Sequence, residues 1–194
     1  MSKALIVVIV LIAVILLVTL VAFGQYVGVK NTLVSKNEAV KAGWSQVDIV
    51  LERRADLIPN LVETVKGYAK QEQTVFGDIA KARSALLSAG TPQEKMAANG
   101  QLDGALGRLL VIVENYPQLK SNENFLRLQD ELAGTENRIA VARRRYNESI
   151  REYNTFIQQF PNSIWANFAG FQPKHEYYTA DPGSKVAPKV DFSK

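Results

Sequence analysis

The sequence ALIVVIVLIAVILLVTLVAF occupies residues 4–23, and its only polar side chain is that of Thr19. A helix rises about 1.5 Å per residue, so about 20 residues cross the ~30 Å hydrocarbon core of a bilayer. A helix on the surface of a soluble domain needs one apolar face, whereas this segment would be apolar on every face. We therefore predict that residues 1–24 form a transmembrane anchor and that the rest of the chain works beside a membrane.

A cleaved signal peptide is the alternative interpretation of this segment. Such peptides have a basic start, a short apolar core and small residues at the cleavage site. Here the basic start is Lys3 alone, the apolar core is long, and residues 21–25 (VAFGQ) offer no good cleavage site. The chain contains no cysteine, which excludes a lipidated cysteine after the run. The sequence thus favours an uncleaved, single-pass anchor.

The flanking charges specify the orientation of the anchor only weakly. Lys3 precedes the span, whereas Lys30, Lys36 and Lys41 follow it. Because Lys and Arg gather on the cytoplasmic side of a membrane, this count weakly favours a cytoplasmic C-terminal part. Proteins without cysteine occur in either compartment, so the cysteine content does not help.

The remaining part of about 170 residues is long enough for one domain. It is rich in Ala, Leu, Val, Glu, Lys, Arg and Gln, a helical composition, and it has no segment of strand-like alternation. The net charge is +4, and most basic residues stand beside acidic ones. The one dense basic run, residues 143–145, is typical of a solvated helix face, so we expect no nucleic-acid partner.

An all-α fold is predicted by a row of residues, mostly apolar, that recurs at alternating steps of four and three. This heptad spacing is typical of a coiled-coil seam that faces a partner helix. The row comprises Leu33, Asn37, Val40, Trp44, Val47, Leu51, Arg54 and Ile58, and it continues through Leu61, Val65, Tyr68, Glu72, Val75, Ile79, Ala82 and Leu86. A similar stripe from Phe125 to Phe160 predicts a long last helix.

Pro59 interrupts the row, because proline lacks the N–H that continues a helix. Either one kinked helix covers residues 25–88, or two helices meet at a turn over residues 55–58 with Pro59 in the first turn of the second. A single helix would be about 95 Å long, more than the rest of the chain could cover. We therefore predict the break, and with it an antiparallel four-helix bundle over residues 25–160. Its helices are expected at 25–55, 59–88, 92–116 and 122–160.

Residues 161–194 are predicted to form a short aromatic helix and an extended tail. In an up-and-down bundle the fourth helix returns towards the anchor, so this segment begins at the membrane end. Aromatic side chains favour the headgroup layer, which suggests contact with the membrane or a partner. A cap over the open end of the bundle is the simpler, compatible alternative. The candidate contact residues are Trp165, Phe168, Phe171, Tyr177 and Tyr178.

Reactive constellations are scarce in this sequence. There is no cysteine, and the single histidine, His175, lies in the tail, so neither a cysteine nucleophile nor a zinc site of Cys and His can be built. No Gly-rich phosphate loop is present. We predict no catalytic residues, no metal and no cofactor. Four carboxylates can meet inside the bundle, although ion pairing to Arg54 or Arg143 is the simpler outcome: Glu63, Glu72, Glu131 and Glu136.

Two asparagines, Asn147 and Asn154, lie seven residues apart on the predicted last helix. A buried amide whose hydrogen bonds are satisfied fixes the register of packed helices at some cost in stability. We therefore predict a register-setting role for both, with ligand binding as the alternative.

Several stretches of the chain resemble the bacterial LemA family. They are AGWSQVDIVLERRADLIPNLVETVKGYA at residues 42–69, YPQLK at 116–120, IAVARRRYN at 139–147, Tyr153-Asn154, Phe160-Pro161 and Gly170-Phe171. The resemblance implies a single-pass bacterial inner-membrane protein with a helical bundle. No enzymatic activity is attached to the family as a class, and one branch is associated with building magnetosome membranes. No catalytic residue can be carried over.

The first hypothesis for function is a non-enzymatic membrane scaffold that self-associates or organises a protein partner or membrane patch. The alternative is a membrane-tethered sensor or ligand-binding bundle, because bundle cores host ligands among polar groups. Its candidate residues are Asn37, Glu72, Asn147 and Asn154. An enzyme or metal protein is a third, weaker hypothesis. The expected partners are membrane lipid and a second copy or another protein; the sequence does not favour a small-molecule ligand.

Overall fold

The computed structural model describes residues 3–179, and over that range the protein consists of helices and connecting segments without a strand. The predicted all-α class is confirmed. The helices are α1 (Lys3–Lys66), α2 (Gln73–Ser88), α3 (Pro92–Val113), α4 (Pro117–Lys120), α5 (Glu123–Gln158) and α6 (Asn162–Phe168). Helix α6 lies within the segment that was expected to form a short aromatic helix and an extended tail, and residues 180–194 of that segment lie outside the described residues.

The chain divides into two compact units. Unit 1 comprises Met1–Lys41 and Glu148–His175, and unit 2 comprises Ala42–Asn147 and Glu176–Lys194. Helices α1 and α5 therefore each contribute to both units. The observed helices differ from the four expected ones in number and bounds. The antiparallel four-helix bundle is therefore not confirmed and stays a prediction.

In unit 1, the apolar run is the exposed part of α1. Its large apolar side chains from Leu5 to Phe23 are 47% to 69% exposed. Residues 3–66 contain the one helix of the described range that is long and apolar enough to cross a membrane. The buried side chains of unit 1 follow the run and come from α1, α5 and α6: Leu33, Val40, Ile150, Tyr153, Ile157 and Ala166.

In unit 2, the predicted heptad row supplies much of the buried core. The row's buried apolar members in this unit are Val47, Leu51, Ile58, Leu61, Val65, Ile79, Ala82 and Leu86. Helices α2 and α3 pack together, and the turn between them ends in a capping box, in which the Thr91 hydroxyl accepts from the Glu94 amide. The Glu94 carboxylate in turn accepts from the amides of Gly90 and Thr91, and these bonds lower its pKa. This box satisfies backbone donors that a helix start leaves free.

The predicted helix break at residues 55–58 is wrong, because α1 continues through Pro59 to Lys66. Proline at position 59 leaves the carbonyl four residues earlier, that of Ala55, without its helical donor. Nε of Arg83, on α2, donates to this carbonyl at 2.8 Å. A side chain from a neighbouring helix thus replaces the missing backbone hydrogen bond. Ala55 itself is fully buried, so its carbonyl would otherwise have little access to water.

The turn between the first two helices of unit 2 lies instead at residues 67–72. Gly67 begins it, and glycine is the weakest helix former after proline. Two side-chain hydrogen bonds hold the turn against the segment around α4: Gln71 donates to the Tyr116 hydroxyl at 2.5 Å, and Asn122 donates to the Tyr68 hydroxyl at 3.1 Å. Glu72, expected on a helical seam, lies at the N-terminal boundary of α2.

We predict that the cost of removing Arg83 depends on Pro59. Arg83→Met should destabilise the chain by about 1–2 kcal/mol, because a largely buried carbonyl loses its donor. With Pro59→Ala the backbone N–H of residue 59 can bond Ala55, so the same Arg83→Met change should cost less than half as much. Reversible chemical denaturation of the full chain in detergent, followed by circular dichroism, measures this double-mutant cycle.

Arg108→Met is the matched control for this cycle. Arg108 pairs with Asp78 at 2.9 Å on the exposed face of α3, away from Pro59. Arg108→Met should lower the free energy of unfolding by the same amount in the wild-type background and in the Pro59→Ala background. Equal costs for Arg83→Met in the two backgrounds would contradict the proposed replacement of the helical bond.

Candidate functional site

An aromatic cluster lies directly after the apolar run in unit 1. The ring centroid of Tyr26 is 6.2 Å from that of Trp165 and 5.8 Å from that of Phe168, both in edge-to-face geometry. Tyr26 follows Phe23 by three residues, a rise of about 4.5 Å along α1. The aromatic segment therefore lies next to the residues that follow the apolar run, and its contact with a membrane or partner stays a prediction.

Helix α6 presents apolar side chains to the outside. Phe160 is 82% exposed, Ile164 is 55% exposed and Phe168 is 79% exposed, whereas Trp165 and Phe171 are half-buried. Only Ala166 of this helix is fully buried. Because α6 buries one residue and exposes large apolar side chains, its outer surface can contact lipid or protein. The same observation weighs against a role only as a cap over the core.

The segment after α6 is held by Asn154 within unit 1. The Asn154 amide donates to the Lys174 carbonyl at 2.6 Å and accepts from the Lys174 N–H at 2.8 Å. The neighbouring Tyr153 hydroxyl donates to the Gln172 carbonyl at 3.1 Å. Asn154 thus provides hydrogen-bond partners for both the backbone carbonyl and the backbone N–H of Lys174, which lies in an extended segment.

Asn147 makes the same two-point contact within unit 2. Its amide donates to the Tyr178 carbonyl and accepts from the Tyr178 N–H, each at 2.8 Å. Sequence reasoning singled out both asparagines but missed these backbone partners. Their spacing of seven residues was the available signal, because it places both amides on one face of α5. The register-setting role stays a prediction.

Tyr178, a predicted membrane or partner contact, packs its ring against Arg143 in unit 2. Its ring lies 4.2 Å from the guanidinium carbon of Arg143, and its hydroxyl is buried without an aligned hydrogen bond. Burial raises the pKa of this hydroxyl; Arg143 opposes the rise, and Asp103 and Glu136 add to it. Tyr178 is thus half-buried, with its hydroxyl group inside unit 2. Tyr177 is also half-buried, and the contact role of both tyrosines stays a prediction.

A buried charge cluster surrounds Arg54, whose relative exposure is 7%. Its Nη1 lies 2.6 Å from Asp103 Oδ1 and 2.9 Å from Glu136 Oε2, and it donates to Asn99 Oδ1 at 3.1 Å. Asn99 in turn donates to Asp103 at 3.0 Å. Arg143 stands 3.8 Å from the other oxygen of Glu136. Two cations and two carboxylates therefore balance in charge.

The predicted pairing of Glu136 with Arg54 or Arg143 is confirmed. Sequence reasoning missed Asp103 and Asn99, although their spacing of four on α3 brings them to one helical face. Glu63 forms an ion pair with Lys66 at 2.9 Å instead of joining the cluster. Over residues 3–179, no three acidic or histidine side chains converge as they would to hold a metal ion.

Tyr146 is a further buried polar residue of unit 2: it is 1% exposed, and its ring packs edge-to-face against that of Trp44 with 5.3 Å between the centroids. Burial, together with the charge of Glu176, raises its pKa to about 12. Tyr146 therefore stays protonated at neutral pH.

A cavity of about 230 Å³ opens beside the Arg54 cluster in unit 2. Its wall is mainly aliphatic, and Arg54 and Glu136 form its charged end. The lining residues are Arg54, Leu61, Leu106, Leu110, Gln129, Leu132, Ala133 and Glu136. None of the ligand-binding candidates named from the sequence lines it.

The exposed apolar helix and the helical units define a membrane-associated, all-α protein. Residues 43–192 match the model of the LemA family, and the chain belongs to that family. The resemblance noted in the sequence is thereby confirmed.

Named relatives fall into two groups. The chain is 28% identical to Magnetosome protein MamQ 2 of Paramagnetospirillum magneticum over 178 residues, covering 78% of this chain and 65% of the relative. It is 27% identical to Magnetosome protein MamQ of Magnetospirillum gryphiswaldense with the same coverage. It is 26% identical to Protein LemA of Metamycoplasma hominis over 143 residues, covering 73% of this chain and 64% of the relative. The chain thus spans slightly less than two thirds of the length of these relatives.

Proposed function

We propose that this protein is a single-pass, non-enzymatic scaffold of the bacterial inner membrane that self-associates through α6. The observation that carries this proposal is the exposed apolar run of α1 with an aromatic cluster directly after it. Residues 4–23 are more stable in the hydrocarbon core of a bilayer than in water, because water would otherwise surround about twenty apolar side chains. The lysines after the run favour the cytoplasmic side for the C-terminal part.

The aromatic cluster supports a position of α6 at the membrane surface. Trp and Tyr concentrate where hydrocarbon meets headgroups, and Tyr26 and Trp165 would lie at that depth if the run spans the bilayer. Lys30 lies 5.8 Å from the Tyr26 ring, where its ammonium can also meet anionic lipid. Helix α6 would then be held in a fixed plane, which favours lateral contact between copies.

The exposed apolar side chains of α6 and of the residue two positions before it support self-association. Ile164 and Phe168 of α6, together with Phe160, are exposed next to a segment that lipid would cover. A second copy anchored in the same membrane would present the same surface at the same depth. The names of the relatives are not those of enzymes, which is in keeping with a non-enzymatic role.

Cysteine crosslinking in native membranes tests this proposal, because the chain has no cysteine of its own. Ile164→Cys places a thiol on the exposed surface of α6, and we expect an oxidation-dependent dimer of the full chain. Val111→Cys is the matched control: this residue is 70% exposed on α3, and we expect no dimer there. A chain that stays monomeric with Ile164→Cys, and that also has monomeric mass after mild detergent extraction, would contradict self-association.

A second candidate function is a membrane-tethered ligand-binding module. The cavity beside Arg54 is the specific observation that favours it. The two functions are compatible, because the cavity belongs to unit 2 and α6 belongs to unit 1.

A further inference from the structure

A surface groove of about 370 Å³ lies between α1 and α5 in unit 2. Two arginines and two amides surround an apolar floor, and none of the described residues that line the groove is acidic. The lining residues are Gln46, Val50, Asn137, Arg138, Val141, Ala142 and Arg145. The groove therefore combines positive charge at its edge with apolar side chains at its floor.

Both arginines of the groove have charges that no acidic group balances locally. They are exposed, and neither forms an ion pair or a hydrogen bond through its side chain among residues 3–179. Arg143 on the same helix, by contrast, is paired with Glu136 at 3.8 Å. Val141 lies between the two arginines and is 43% exposed. This part of α5 thus presents two free cations and an apolar side chain to whatever lies in the groove.

The spacing of these three side chains defines the geometry of an occupant. Arg138, Val141 and Arg145 are separated by three and four residues, so they form one row along α5. The two arginines are two helical turns apart, a rise of about 10.5 Å. Two carboxylates seven positions apart on another helix have the same separation, and an apolar side chain at the heptad position between them can reach the floor. An amphipathic helix that lies in an apolar groove is a common mode of protein recognition.

The charge and shape of the groove argue against other occupants. A neutral or basic helix would leave both arginines without counter-charges. Anionic lipid headgroups would pair with the arginines but would leave the apolar floor between α1 and α5 uncovered. A helix that carries both carboxylates and apolar side chains on one face matches both parts of the groove.

We propose that this groove binds an acidic amphipathic helix of a partner protein, in which two carboxylates seven residues apart flank an apolar side chain. The carboxylates pair with Arg138 and Arg145, and the apolar side chain packs against Val50 and Val141. This inference goes beyond self-association through α6 and does not rest on it. It identifies a second surface and the class of protein that a membrane scaffold would hold there.

Fluorescence anisotropy with the full chain in phosphatidylcholine nanodiscs tests the proposal with two labelled synthetic peptides. Both are alanine-rich helices of three heptads with one leucine in each heptad. One peptide carries glutamate three positions before each leucine, and the other carries glutamine there. We expect saturable binding of the glutamate peptide, with empty nanodiscs as the background. The glutamine peptide should bind about tenfold more weakly, which corresponds to about 1.4 kcal/mol for two ion pairs.

Two double variants locate the binding site. Arg138→Glu combined with Arg145→Glu should weaken binding of the glutamate peptide by at least about tenfold, because attraction becomes repulsion. Lys70→Glu combined with Lys81→Glu is the matched control, since it changes the net charge equally at exposed lysines that do not line the groove. The control should change the affinity less than twofold, and both variants should keep the circular dichroism spectrum of the wild-type chain.

The outcomes separate the groove, its chemistry and its occupant. Absence of saturable binding, or equal losses in the two double variants, would overturn the groove as a helix-binding site. Equal affinity for the two peptides would overturn the recognition of carboxylates. In methyl NMR of the valine-labelled chain, replacing a third of the phosphatidylcholine by phosphatidylglycerol should leave the signals of Val50 and Val141 unchanged. Shifts of both signals would assign the groove to anionic lipid and overturn the choice of a protein partner. None of these results bears on the crosslinking of α6.

Discussion

Replacing Ile12 and Leu16 together by arginine is expected to move the protein from the membrane to the soluble fraction. Both residues lie in the middle of the apolar run, and both side chains are more than half exposed. An arginine at the centre of a membrane-spanning helix costs about 2.5–3.5 kcal/mol on insertion scales, so the pair costs roughly 5–7 kcal/mol. Fractionation of cells followed by a carbonate wash measures the distribution of the chain.

The matched control places two arginines on the same helix outside the run. Val34 and Ile49 are exposed aliphatic residues of α1, and Val34→Arg with Ile49→Arg should leave the protein in the membrane pellet. The mass of the mature wild-type chain is the companion measurement, because a cleaved signal peptide would give a product that begins near residue 25. That product, or a double-arginine variant that stays in the pellet, would remove the basis for a membrane scaffold.

Replacing Arg54 by methionine is expected to destabilise unit 2 by about 2–3 kcal/mol. Removal of one partner from a buried ion pair leaves its counter-charges unpaired, which typically costs about 3–5 kcal/mol. Here the cost is smaller because the side chains of Asp103 and Glu136 are partly exposed and can regain water. Chemical denaturation of the full chain in detergent, with circular dichroism as the readout, gives the free energy of unfolding.

Arg53→Met is the control for this loss, because Arg53 precedes Arg54 on α1 but is exposed. Its effect should stay within about 0.5 kcal/mol, as for most surface substitutions. Adding Asp103→Asn to Arg54→Met should restore at least half of the lost stability, because Glu136 and Arg143 then remain as a balanced pair. Equal losses for Arg53→Met and Arg54→Met, or no recovery in the variant that combines Arg54→Met with Asp103→Asn, would contradict the assigned role of the cluster.

The apolar run and much of the buried core were predictable because their signals are local. A run of twenty apolar residues has the length and composition of a membrane-spanning helix, and the heptad row from Leu33 onward identifies many of the side chains that α1 buries. Of the four carboxylates that were expected to pair with Arg54 or Arg143, Glu136 does so.

The path of α1 through Pro59 could not be predicted from the local sequence. Proline removes a backbone donor, and whether the helix survives depends on what replaces that donor. The replacement is Arg83, which is 28 residues away from Ala55 in the chain. Asp103 and Asn99 around Arg54, and the burial of Tyr178 against Arg143, depend on similarly distant contacts.

The sequence by itself thus determined that the protein is helical, that one of its segments suits a membrane, and which face of each long helix is apolar. These properties follow from the periodicity and hydrophobicity of neighbouring residues. Only the tertiary structure decided where the helices end, which charges meet at Arg54, and that a cavity lies beside them. The physical reason is that hydrogen bonds and ion pairs in a packed interior join residues far apart in the chain, and neither leaves a periodic signal in the sequence.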